Sequence, residues 1–155
     1  MKFLFQAPVA AALLFIPLML VLPRAHAALG ENVASISRDH RILHAQSQSV
    51  THRPAYERHE MTTTDGIRIR EYAASDGTIF AVTWSGRTQP DLKTMLNGYY
   101  KDYTDAATRH TSGHHVLVAS TPELQLRIVK LQRGFVGSAR VPALTPVGVN
   151  PSDIE

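Results

Sequence analysis

The chain has 155 residues, a formal charge of +3 and no cysteine. This length accommodates one ordinary domain beside a targeting segment, and a small net charge without blocks of like sign gives no reason to invoke nucleic acid. The lack of thiols excludes disulfides, thiolate zinc sites and iron–sulfur centres.

Met1 and Lys2 open the chain with positive charge, and an apolar run from Phe3 to Leu22 follows, interrupted by Gln6, Pro8 and Pro17. It closes on Ala25-His26-Ala27, the small-x-small pattern read by signal peptidase. Residues 1–27 are therefore expected to be a signal peptide cut between Ala27 and Ala28. The alternative is a membrane anchor, since the run approaches spanning length. The two prolines weaken a long membrane helix, and with the Ala-x-Ala site they favour cleavage and no stable membrane span. Loss of Lys2 and Arg24 leaves a mature chain near neutrality. The expected location is the periplasm or the exterior.

Residues 28–54 are polar, with Gln46-Ser47-Gln48-Ser49 and a closing Pro54. They read as a loose, disorder-prone leader outside the core. A domain is expected over 55–141. Its first part is a three-stranded meander, roughly 55–63, 67–73 and 78–84, punctuated by Asp65-Gly66 and Asp76-Gly77. Charge and side-chain matching set the registers. A three-residue loop at Thr64-Asp65-Gly66 places Glu60 opposite Arg70 and Met61 opposite Ile69, with Gly66 left-handed. The same loop length at Ser75-Asp76-Gly77 places Tyr72 opposite Phe80 and Arg68 opposite Trp84, an aromatic pair and a cation–π contact.

Asp91 begins an amphipathic run in which Leu92, Met95, Leu96, Tyr99 and Tyr103 share one helical face, ending near Thr104. Two strands follow, from His115 to Ser120 and from Leu124 to Leu131, and Phe135-Val136 marks a further one. Residues 142–155, rich in proline, are expected to form an extended tail. The fold class is α+β: an antiparallel sheet with one helix packed on one face. The expected core is Phe80, Val82, Leu92, Met95, Leu96, Tyr99, Val116, Val118, Leu126 and Ile128.

Three groups of residues could carry chemistry. Arg68, Arg70 and Tyr72 share a strand face expected to lie near Trp84, and with Tyr100 they could form a ligand or glycan platform. The plainer reading is arginine stems lying on apolar neighbours with their heads in water. His110, His114 and His115 suit a transition metal, against ordinary solvated histidines; His40 and His44 repeat the i, i+4 spacing in the leader. Carboxylates for glycoside hydrolysis would come from Glu57, Glu60, Glu71, Asp91, Asp102 or Asp105. No nucleophile elbow and no glycine-rich phosphate loop is present, so no catalytic residue is assigned.

The mature chain resembles a family of exported proteobacterial proteins known as domain of unknown function 2844. The resemblance rests on Ala28-Leu29-Gly30, Arg70-Glu71-Tyr72, the run Asp76–Gly86, and Pro90-Asp91-Leu92 with Leu96, Tyr99 and Tyr103. Phe135, Gly137, Ala139, Val141-Pro142, Pro146–Val149 and Asp153-Ile154 complete it. It implies export and a shared fold and brings no activity or site residue; because it includes the tail, it implies that the tail docks on the domain or on a partner. The expected function is a non-enzymatic binding or accessory module of the cell envelope, with an envelope protein or a glycan as partner and no cofactor. The alternatives are a histidine-based metal-binding protein and a small envelope enzyme acting on glycan or cell-wall substrates.

Overall fold

The computed structural model describes residues 29–36, 45–109 and 115–154. Seven strands form one antiparallel sheet: β1 (Ala45–His52), β2 (Glu57–Thr63), β3 (Arg68–Ala73), β4 (Ile79–Gly86), β5 (Val116–Ser120), β6 (Gln125–Leu131) and β7 (Gly134–Arg140), in the order β1-β2-β3-β4-β7-β6-β5. Two local meanders, β1 to β4 and β5 to β7, thus meet along a single seam between β4 and β7. β4 holds the most β-branched and aromatic stretch of the chain and lies at the centre, buried on both faces from Ile79 to Trp84.

The helical segment follows the apolar stripe. Asp91 caps it, its Oδ1 accepting from the Lys93 and Thr94 amides. α1 (Leu92–Leu96) buries Leu92, Met95 and Leu96. A 3-10 turn, Asn97–Tyr99, then separates it from α2 (Tyr100–Arg109). The expected single helix is therefore interrupted at Asn97, which has φ +45°, a region that asparagine enters more readily than most residues. It also extends past Thr104 to Arg109.

The leader is not apart from the core. Leu29 and Ile36 are buried in the main cluster, and the Gly30 amide donates to Ile79 O at 2.7 Å while the Ile79 amide donates to Glu31 O at 2.7 Å. Residues 45–52 are a full edge strand on β2. An edge strand facing solvent on both sides needs no apolar alternation, which is why its sequence reads as a polar leader.

The first hairpin has the expected register, with Glu60 opposite Arg70, Met61 opposite Ile69 and Gly66 at φ +76°. The second has the expected loop and a different ladder. Ala73 pairs with Ile79, but Tyr72 pairs with Ala81, so Phe80 is an inserted bulge residue. Beyond it the register shifts by one, placing Ile69 opposite Trp84 and Arg68 opposite Ser85. A one-residue slip exchanges faces. Trp84 and Val82 therefore join the helix-covered core, and the Arg68–Trp84 pair does not form; Tyr72 and Phe80 are no longer ladder partners, although their rings still meet with centroids 6.4 Å apart.

β5 also turns opposite to expectation. Leu117 and Ala119 face the core, opposite Ile128 and Leu126, while Val118 is 56% exposed. All five β5 positions except Ser120 are apolar, so parity alone could not choose. The tail folds over the sheet end: Ile154 is buried against Tyr72, Phe80 and Ala81, and the Val141 amide donates to Phe80 O at 2.9 Å.

Candidate functional site on the open sheet face

One face of the sheet is apolar and covered by α1 and α2; the other is polar and largely open. On the open face a continuous cross-strand row runs Glu60, Arg70, Thr83, Ser138, Arg127, Val118 from β2 to β5. The two neighbouring rows add Arg68 and Ser85 on one side, and Arg58, Arg140 and Gln125 on the other. These three rows hold five arginines and one glutamate.

Two adjoining clefts lie along this face. The larger, about 440 Å³, is lined by Arg68, Arg70, Thr83, Ser85 and Arg127; the smaller, about 390 Å³, by Arg127, Arg140, Gln125 and Val118. Pro151 and Ile154 of the tail border both. The tail thus forms one wall of a trough crossing the strands.

Not every arginine is equally available. Glu60 holds Arg70 Nε at 2.7 Å and Arg68 Nε at 3.5 Å. The hydrogen bond from Arg70 holds the Glu60 carboxyl below the usual carboxylate range, and Glu60 in turn raises Arg70. Arg140 donates to Gln125 Oε1. Arg127 makes no ion pair among the described residues, and the Arg68 side chain is 55% exposed despite its distant contact.

The aromatic half of the expected platform is absent. Tyr72 is fully buried beneath Ile154, and burial raises its phenol above the ordinary tyrosine range. Trp84 is buried on the opposite face. Tyr100 is half-buried on α2, packed on the core and tilted against Tyr103 with ring centroids 5.5 Å apart. Of the five expected platform residues, only Arg68 and Arg70 meet on the open surface. Sequence reasoning missed Arg127 and Arg140, which the β4–β7 seam brings alongside them; the signal was the alternation of Leu124, Leu126 and Ile128 with Gln125 and Arg127.

The candidate carboxylates are mostly in structural positions. Asp91 caps α1, Asp105 pairs with Lys101 at 2.6 Å, Glu57 contacts His52 at 2.9 Å, and Glu71 is buried on the covered face opposite His59. Burial pushes the His59 imidazole below its ordinary range, against the opposing pull of Glu57 at 3.5 Å. His40, His44, His110 and His114 lie outside the described residues. His115 is exposed and its carbonyl accepts from the Lys130 amide. Among the described residues no group of three histidines or carboxylates could hold a metal ion, and no helix is long and apolar enough to cross a membrane.

The family model described as "Protein of unknown function (DUF2844)" matches residues 25–154. The chain belongs to that family. No curated protein and no solved structure matches it. Family membership covers the sheet, the helical segment and the tail alike, so the trough and its tail-built wall lie within the family domain.

Proposed function

We propose that the protein is an exported, non-enzymatic binding or accessory module of the cell envelope that engages its partner through the open sheet face. The observation that carries this reading is the asymmetry of the sheet. One face is sealed by helices, while the other presents exposed arginines, hydroxyls and valines beside a trough walled by the tail. Surfaces that combine arginine with exposed apolar side chains favour association. Export is supported by the charged start, the apolar run and Ala25-His26-Ala27.

The test is a pull-down from envelope extract with the wild-type protein and with an Arg127→Glu, Val136→Glu double variant, each with and without a chelator. N-terminal sequencing of the protein recovered from the periplasm should begin at Ala28. A partner held by the wild type and lost by the variant supports the reading. Equal capture by both sinks it, and capture lost on chelation turns the assignment to His110, His114 and His115.

A further inference from the structure

Resting on that reading, we infer that the trough takes an acidic polypeptide segment: carboxylates on Arg68 and Arg127, and an apolar side chain on the valines beside them. Four observations converge on it.

The first is charge. Five arginines face one glutamate across the three open rows, and that glutamate is already committed to Arg70 and Arg68. A guanidinium fork matches a carboxylate in shape and can bind it bidentately.

The second is the apolar ledge. Val116, Val129 and Val136 form one cross-strand row on the same face, with Val118 on the neighbouring row. Val118 is 56% exposed and Val136 44%. Arg127 lies between Val118 and Ser138. An anion-binding row that ends in exposed valines suits a ligand that is charged at one end and apolar at the other. Polypeptide offers both; an acidic sugar polymer offers no aliphatic side chain.

The third is the missing ring. Sugars bury their apolar C–H faces on exposed aromatic side chains, and Trp84, the one aromatic residue lining these clefts, is only 2% exposed. The fourth is precedent in the molecule itself. Pro151 and Ile154 already lie on this face and border both clefts, with Ile154 inserted among Tyr72, Phe80 and Ala81. The sheet face therefore accepts a chain segment anchored by one aliphatic side chain.

Spacing makes the proposal specific. From β3, carrying Arg68 and Arg70, to β6, carrying Arg127, is three strand steps, or roughly 14 Å at about 4.8 Å per step. An extended peptide rises about 3.4 Å per residue, so acidic residues at i and i+4 span that distance on one side. The residue at i+2 then faces the half-buried Ser138, and an apolar residue at i+6 reaches Val118.

The experiment is fluorescence anisotropy with a dye-labelled peptide of about a dozen residues, with Asp at i and i+4, Val at i+6 and Ser or Thr elsewhere. Saturable binding is expected, weakened tenfold or more by Asp→Asn in the peptide or by Arg68→Ser with Arg127→Ser in the protein, and several-fold by Val118→Ser. A thermal melt confirms that these surface variants stay folded. No binding by the wild type, equal binding of the Asn peptide, or indifference to the arginine substitutions overturns the inference. Parallel arms use polygalacturonate, phosphatidylglycerol vesicles and sedimentation of the protein alone. Tighter binding of either anion, or self-association, through the same arginines overturns the peptide assignment while leaving the binding face standing. If no arm depends on these arginines and the pull-down variant captures normally, the binding face falls as well.

Discussion

The two hairpins built around β3 carry nearly the same instruction and reach different ends. Thr64-Asp65-Gly66 and Ser75-Asp76-Gly77 both make three-residue loops closed by a glycine of positive φ. The first ladder runs on undisturbed, and the second inserts Phe80. The cause lies in what each strand must bury. β2 and β3 alternate cleanly enough for one face to be wet. β4 has little polar surface to offer: every residue from Ile79 to Trp84 is buried, Thr83 included. The bulge sends Phe80 and Ala81 to the tail-covered end of the open face, and Val82 and Trp84 under the helices. Turn chemistry sets where a hairpin bends; burial sets which residues face each other beyond it.

Substitutions at matched positions sharpen this contrast. The largest effect is expected at Trp84, which the bulge delivers to the covered core. Trp84→Ala should destabilise by about 3–5 kcal/mol in urea or thermal unfolding, whereas Arg68→Ala, on the open face, should stay within about 0.5 kcal/mol. Equal losses at the two sites would mean that they pack together after all. Next come the turn glycines. A Cβ on Gly66 meets nothing within 4 Å, whereas one on Gly77 comes within 2.8 Å of Asn32 Nδ2. Gly66→Ala should cost about 1 kcal/mol for its left-handed backbone alone. Gly77→Ala should cost about 2 kcal/mol, because it also disturbs Asn32, whose side chain caps the turn at Ala34. Identical melting shifts would remove the distinction.

The smallest effect is on pH dependence and belongs to the first hairpin. His59 binds its proton less readily folded than unfolded, so the folded state carries fewer protons once pH falls below about 6.5. Stability should be independent of this group above that pH and decline as pH falls below it. His59→Phe should flatten the decline between neutrality and pH 5; an unchanged slope would show that His59 is not its source.

How much of this was legible followed from how much was locally determined. The loop at Gly66, the Glu60–Arg70 pair, the helix start at Asp91 and the Leu92–Met95–Leu96 stripe each depend on residues close in sequence, and each could be read. Residues 45–52 hid because an edge strand is held by backbone bonds that leave no hydrophobic signature. Val116 and Val118 read as core because Leu117 and Ala119 alternate with them just as well, and only pairing with β6 decides. The site was half-visible for the same reason. Arg68 and Arg70 lie on one strand, while Arg127 and Arg140 arrive through the β4–β7 seam, a pairing between residues some fifty positions apart.

That seam also bears on how the molecule comes together in time. Every other ladder joins strands consecutive in the chain, whereas β4 waits for β7, with Gly86 meeting Phe135 and Ala81 meeting Arg140. Closing so long an intervening loop carries most of the entropic barrier in such a topology. The two meanders can form early, each with its arginines on its own strands, but neither alone presents the full row. The complete arginine row thus depends on this late, long-range pairing, and a chain that has not yet joined its halves does not present it.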